Sequence, residues 1–301
     1  MLGRKNDTSQ ARGAGRKQRD LGQNFLTDQG VLEAEIGYAA VGAADTVLEI
    51  GAGPGNLTGR LAALAGHVVA VEYDRQFRAG LERLAAASGN LTLLWGDALT
   101  VPLPAFGKVV ANLPYRVALP VLLRLLDHGF GTGVVIVQKD MAQKICAGPG
   151  EAGYGRVSVI VQRLARPELL QVIPASAFSP PPRVDSAIVR VRAMSDPFPV
   201  GPGDAFSRLL DNAFLYREQK LGAVLGRLAG VAETADLLPG RLRDKQVSRL
   251  APDEFGEVSR FLDSRKVRLP AVSNSAKRRA QQPRRADRNP RTSRRAPGPR
   301  A

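Results

Sequence analysis

The chain is poor in the residues from which disulfide frameworks and metal centres are made: its 301 residues include one cysteine, Cys146, and two histidines, His67 and His128. A lone thiol excludes an internal disulfide, and three such side chains scattered along the sequence do not suggest a zinc site. All three are read as packing or surface residues, and no metal is expected. No apolar run is long enough to span a bilayer, and neither a lipidation motif nor a basic amphipathic helix is present. No signal-peptide pattern opens the chain and no internal repeat divides it, so a cytoplasmic protein without a membrane partner is the expectation.

Charge is abundant but unevenly placed. The formal net charge is +15, yet residues 1–20 hold six Lys/Arg against two Asp, residues 271–301 hold ten against one, and the 250 residues between carry only +2. The two ends lack apolar periodicity and are rich in Arg, Pro, Ser and Asn. This composition predicts segments that stay disordered until they meet a polyanion, and RNA is favoured over an anionic membrane surface.

Between the ends, short β-rich apolar runs alternate with helical stretches. Strands are predicted at Thr46–Ile50, His67–Glu72, Leu91–Trp95, Lys108–Ala111 and Val134–Val137. Helices are predicted at Leu57–Leu64, Phe77–Ala87 and Val117–Leu126. Successive βαβ units of this kind give an α/β fold with a mostly parallel sheet and a ligand at the carboxyl ends of its strands. A helix at Tyr154–Leu164 follows, then strands at Glu168–Ile173 and Ser186–Val191 that flank the proline-rich turn Ser179–Arg183 and finish the sheet. From about residue 203 the apolar spacing is helical, with a break at Pro239 and Gly240. The expected organisation is a basic segment 1–20, an α/β domain 21–197, a small helical domain 198–268 and an Arg-rich tail 269–301.

The sharpest local signal is Val47-Leu-Glu-Ile-Gly-Ala-Gly-Pro-Gly-Asn-Leu-Thr58, a buried strand that runs into glycines and then a helix. Gly51, Gly53 and Gly55 permit a tight turn and a close approach of ligand to backbone. Glu72 ends the second strand, where a carboxylate accepts hydrogen bonds from both ribose hydroxyls. Asp97 follows the third, where it accepts from an adenine amine. The three features together describe an adenosine. The G-x-G-x-G spacing lacks the G-x-G-x-x-G form that brings a helix terminus to a pyrophosphate, which favours adenosylmethionine over NAD.

After the fourth strand comes Asn112-Leu-Pro-Tyr115. An adenine amine is a poor nucleophile because its lone pair is delocalised into the ring, so methylation requires acceptors that draw it out of conjugation. The Asn112 side-chain oxygen and the Leu113 carbonyl supply two acceptors, Pro114 restrains the backbone and Tyr115 offers a stacking face. No general base is needed, because a nitrogen that has gained a methyl while positively charged loses its proton readily to water.

At this point the sequence resembles the KsgA/Dim/Erm family of rRNA adenine dimethyltransferases, from about Leu21 to about Leu262. The resemblance is carried by Gly22-Gln-Asn-Phe-Leu26, Glu49-Ile-Gly-Ala-Gly53, Gly96-Asp-Ala98, Asn112-Leu-Pro-Tyr115, Gln138-Lys139, Tyr154-Gly-Arg-Val-Ser158 and Phe178-Ser-Pro-Pro-Pro-Arg-Val-Asp-Ser186. It implies a Rossmann-like S-adenosyl-L-methionine-dependent methyltransferase with a helical RNA-binding lobe, acting as a monomer. Asn24 and Leu26 would cover the methionine end of the cofactor and Gly51 its loop. Glu72 would hold the ribose, Asp97 the adenine, and Asn112 would face both cofactor and target amine. Phe178 is implied as the aromatic opposite Tyr115, clamping a flipped base.

Within the family, Asn112-Leu-Pro-Tyr115, Gln138-Lys-Asp140, Ala147-Gly-Pro-Gly150, Asp244-Lys-Gln-Val247 and Leu250-Ala-Pro-Asp-Glu-Phe255 look KsgA-like with an archaeal flavour. The implied reaction is dimethylation of two adjacent adenines near the 3′ end of small-subunit rRNA, on a pre-ribosomal particle. The alternatives are Erm-type modification of large-subunit rRNA and a non-catalytic RNA-binding assembly or transcription factor. Two departures stand out: Ala52 replaces the usual proline, and Glu218 interrupts the basic run Phe214–Lys220.

Overall fold

A computed structural model describes residues 23–228 and 231–273. The expected basic segment 1–20 lies outside the described residues, as does the Arg-rich tail beyond Ser273.

The first elements are β1 (Phe25–Leu26) and α1 (Gln29–Ala39), the helix capped by Asp28, which accepts the Val31 N–H at 3.1 Å. There follow β2 (Thr46–Ile50), α2 (Asn56–Leu64), β3 (His67–Glu72), α3 (Arg78–Ser88), β4 (Leu91–Trp95), β5 (Lys108–Asn112), α4 (Ala118–His128) and β6 (Thr132–Gln138). Strands β2, β3 and β4 coincide residue for residue with the runs read from the sequence. Then come α5 (Lys139–Cys146), α6 (Arg156–Leu164), β7 (Ala165–Ile173), β8 (Phe178–Ser179) and β9 (Ser186–Ala193).

Seven strands form one sheet in the order β4-β3-β2-β5-β6-β9-β7. The first five are parallel, and β9 and β7 complete the sheet as antiparallel strands. From β2 the chain winds outward to β4, then returns to β5 on the other side. The winding direction thus reverses between β2 and β5, and in such sheets ligands bind at that switch point, beyond the carboxyl ends of the strands.

Both faces of the sheet are covered, because neighbouring residues on a strand face opposite ways. Val47, Val110, Val134 and Ile136 join the apolar layer under α1 and α2. Leu48, Val109, Ala111, Val135 and Val137 join the layer under α4, α5 and α6. In α4, Ala118, Val121, Leu122, Leu125 and Leu126 are buried, the stripe that one helical face provides. Pro167, which has no N–H to donate, is tolerated because β7 is the sheet's edge strand.

The remaining helices are α7 (Ala205–Ala213), α8 (Leu221–Leu225), α9 (Ala232–Asp236), α10 (Gly240–Arg243) and α11 (Pro252–Ser264). They bury a core of their own, including Leu209, Leu221, Leu225, Leu242, Phe255 and Leu262, into which Tyr154 is inserted. The Tyr154 hydroxyl donates to the Leu250 carbonyl at 2.7 Å, fastening the helices to the α/β part. The predicted break at Pro239 and Gly240 is the start of α10.

Helices α1 and α5 have no counterpart among the predicted helices, and three further differences stand out. Helix α6 begins at Arg156, not Tyr154, because the Gly155 N–H is taken by the Ser158 hydroxyl at 3.0 Å, setting the helix start there. Strand β7 starts three residues earlier than predicted, directly after α6. The two-stranded ribbon of β1 with β8, pairing Phe25 with Ser179 and Leu26 with Phe178, has no counterpart among the predicted elements. Among the described residues no helix is long and apolar enough to cross a membrane. His67 bonds Thr92, His128 stacks on Phe106 and Cys146 packs against the central core.

Candidate active site

A cavity of about 360 Å³ opens at the carboxyl ends of β2, β3, β4 and β5, a size typical of ligand clefts. Nine of the twelve residues singled out for a ligand in the sequence line it: Asn24, Gly51, Gly53, Glu72, Asp97, Asn112, Leu113, Pro114 and Tyr115. They come from five separate stretches of chain; four of these end or follow strands of the parallel sheet, and Asn24 is brought in by the segment that leads into β1.

The glycine turn is built as its composition requires. Gly51 and Gly53 have φ of 80° and 53°, in the left-handed region that side chains avoid. A Cβ at Gly53 would lie 2.9 Å from the Phe25 ring, so the first strand can cross the turn only because that position carries no side chain. The Gly51 N–H donates to the Val71 carbonyl at 2.8 Å, pinning the turn to β3.

Glu72 is buried and takes up the loop's other donors: Oε2 accepts the Gly53 N–H at 2.8 Å and Oε1 the Asp74 N–H at 2.6 Å. Burial pushes its carboxyl above the ordinary range, against the backbone N–H groups of Asp74, Gly53 and Tyr73 that hold it down. The carboxylate keeps acceptor capacity for a ligand hydroxyl. Asp97, by contrast, is exposed. One of its oxygens accepts the Leu99 N–H at 2.8 Å, which fixes the carboxylate at the turn after β4.

Asn112 ends β5, and its side-chain NH2 donates to the Asn24 carbonyl at 3.3 Å. With the nitrogen committed, the oxygen is the acceptor this amide offers to the cavity. Leu113 is embedded in the central core, and its N–H is held by the Ile136 carbonyl at 3.0 Å. Tyr115 is anchored through its hydroxyl, 2.5 Å from the Ser186 hydroxyl at the start of β9. Burial raises its phenol, which therefore stays protonated.

Leu26, Gly55 and Phe178 are not among the residues that line this cavity. Phe178 is 3% exposed and packs with Leu26, Ile36, Ile173 and Ile188, because pairing of β1 with β8 turns both side chains into the layer under α1. Sequence reasoning missed Tyr73, Arg116 and Gln23, all of which line the cavity. Tyr73 is 67% exposed beside the buried Glu72, and the available signal was its place next to the strand-ending acid.

The glycine-cradled crevice, the carboxylates after successive strands and the switch point between β2 and β5 define a Rossmann-like methyltransferase fold. Two solved structures share it. A dimethyladenosine transferase from Plasmodium falciparum aligns with a TM-score of 0.71 at 24% identity, covering 82% of this chain and 100% of that one. The 23S rRNA methyltransferase ErmE aligns with a TM-score of 0.61 at 24% identity, covering 80% and 100%. The sequence profile of the family described as ribosomal RNA adenine dimethylase matches residues 14–263, and the chain belongs to that family. A relative from Methanothermobacter thermautotrophicus, named as a probable ribosomal RNA small subunit methyltransferase A, is 37% identical over 82% of this chain and 92% of its own length.

Proposed function

We propose that the protein transfers methyl groups from S-adenosylmethionine to the exocyclic amines of two adjacent adenines near the 3′ end of small-subunit rRNA, converting each to dimethyladenosine. It acts as a monomer in the cytoplasm on a pre-ribosomal small subunit. The observation that carries the reading is the orientation of Asn112: its NH2 is spent on Asn24, so its oxygen is presented where an amine must be received.

The residues fit the cofactor. The side-chain-free turn at Gly51 and Gly53 admits a ligand against the backbone, Glu72 holds ribose hydroxyls and Asp97 an adenine amine. When bound, the cofactor supplies an electrophilic methyl on a sulfonium sulfur. Asn112 Oδ1 and the Leu113 carbonyl accept the two hydrogens of the target amine, localising its lone pair for in-line attack. Tyr115, held by Ser186, stacks on the extruded base; such stacking contributes about 1 to 3 kcal/mol and offsets part of the cost of unstacking. Phe178 acts from behind, as packing that supports the ribbon over the site. The helices after residue 203 serve as the RNA-binding lobe. Arg217 is largely consumed internally, bonding Glu218 and the carbonyls of Glu151 and Ala152, so the run Phe214–Lys220 offers RNA little charge.

Mass mapping of methylated adenines in ribosomal RNA from cells with and without the protein tests the reading. Loss of two adjacent dimethyladenosines from the small subunit is expected. Loss of one large-subunit methylation would move the assignment to the Erm type, and an unchanged pattern would favour a non-catalytic RNA-binding factor.

A further inference from the structure

Behind the glycine loop lies a second, smaller chamber of about 40 Å³, room for no more than a few waters at about 10–15 Å³ each. It shares Phe25, Gly51 and Asn112 with the cofactor cavity, so the two spaces stand back to back across those residues. Glu35 of α1 and Glu49 of β2 both line it, 0% and 1% exposed. Both oxygens of Glu35 and Oε2 of Glu49 meet no hydrogen-bond donor from the protein. A buried carboxyl that no protein donor supports resists ionisation.

The charges bearing on the pair are acidic: Glu49 acts on Glu35, and Glu72, next to Asp74, acts on Glu49. The Thr58 hydroxyl favours the ionised form of Glu49, but burial outweighs it. Cations on the elements packed around α1 and β2 are engaged elsewhere, Arg60 with Glu33, Lys108 with Asp45 and Arg190 with Glu168. Among the described residues, no cation is paired with Glu35 or Glu49.

Positive charge in this neighbourhood arrives with the ligand. Resting on the cofactor reading above, the sulfur is a sulfonium before transfer and a neutral thioether after it. We propose that Glu35 and Glu49 are specificity-determining residues that favour the sulfonium form of the cofactor over its thioether product. They touch no reacting atom; they act across the wall formed by Gly51 and Asn112.

The physical basis is linkage. Burial raises Glu49 to about 8 and Glu35 well above the ordinary carboxylate range, so near neutral pH both carry protons when the site is empty. A cation held in the adjoining cavity would stabilise the carboxylate and draw a proton off, and by reciprocity the carboxylate would tighten binding of the cation. The thioether gains nothing from this. Preference for the sulfonium therefore rises with pH as the pair ionises, which helps the product to leave and the next cofactor to enter.

Two measurements on the full-length protein test the inference. In infrared difference spectra of the unaltered protein, the carbonyl band of a protonated carboxyl is expected to fall on adding S-adenosylmethionine and to persist on adding S-adenosylhomocysteine. By calorimetry, the affinity ratio of the two ligands is expected to rise between about pH 6.5 and 9 by about tenfold more than in Glu35→Gln/Glu49→Gln, the equivalent of one pKa unit. The ligands' own amines titrate alike against both proteins and cancel in that comparison. The same band change with either ligand, or the same rise in both proteins, would overturn the proposal. The infrared result holds even if the double variant does not fold. Failure of S-adenosylmethionine to bind at all would instead overturn the cofactor reading, and this inference with it.

Discussion

The side-chain amide of Asn112 donates to the main-chain carbonyl of Asn24 at 3.3 Å, tying the end of β5 to the segment that leads into β1. One bond thereby joins the Asn112–Tyr115 turn to the chain that crosses the crevice, and it fixes which end of the amide is free to face the cavity. Asn112→Ala is expected to lower the single-turnover methylation rate by about a hundredfold or more, the scale for removing one preorganised hydrogen-bonding group. Cofactor affinity, measured by calorimetry, is expected to change only a few-fold. Normal turnover at saturation with weakened cofactor binding would contradict the assigned role.

Gly53 illustrates why the turn tolerates no side chain. Its φ of 53° is costly for any L-residue, and a Cβ would press on Phe25 at 2.9 Å. Gly53→Ala is expected to cost about 1–2 kcal/mol in urea unfolding and to weaken cofactor binding about tenfold or more, because Phe25 and the loop must separate. An alanine variant as stable as the parent would show that the turn relaxes freely.

The buried pair also leaves a mark on stability. In the fold, burial keeps Glu35 and Glu49 protonated, Glu49 up to about 8, whereas in the unfolded chain both ionise near the ordinary carboxylate value of 4.5. The folded state therefore binds more protons through that window. The stability associated with these groups is full below the unfolded value and is lost as pH rises through the folded one. Glu35→Gln is expected to melt at a temperature that gains on the parent as pH is raised from about 5 to about 8.5. A melting difference independent of pH would mean that Glu35 ionises normally.

The Arg-rich segment bears most of the molecule's excess charge, while the middle of the chain is nearly balanced. Removing residues 271–301 is expected to lower affinity for ribosomal RNA and to flatten its dependence on salt, by about 0.7 in the log–log slope for each phosphate that the tail neutralises on single-stranded RNA. Equal affinity and slope in the truncated protein would assign RNA binding wholly to the folded part.

Much of the architecture was legible because it is written locally. Thr46–Ile50, His67–Glu72 and Leu91–Trp95 are continuous or near-continuous apolar runs bounded by glycine, acid or turn residues, and each appears as a strand with those bounds. Helices α1 and α5 were not legible. Glu35 sits among the buried residues of α1 and blurs its apolar stripe, and only Ala142 and Ile145 are buried in α5. Phe178 lies in a motif whose resemblance pointed to a base clamp, yet its surroundings are set by pairing with Leu26, 152 positions earlier.

By itself the sequence determined the α/β class, the glycine turn, the acids after β3 and β4 and the Asn112–Tyr115 turn, since strand period, backbone permissiveness and residue chemistry are properties of short stretches. Only the tertiary structure decided that Asn112 is oriented by Asn24, that Phe178 is withdrawn into the core and that Glu35 meets Glu49 without a counterion. The environment of a side chain is made by whichever distant elements pack around it, and that information exists nowhere along the chain until the sheet has closed over both its faces.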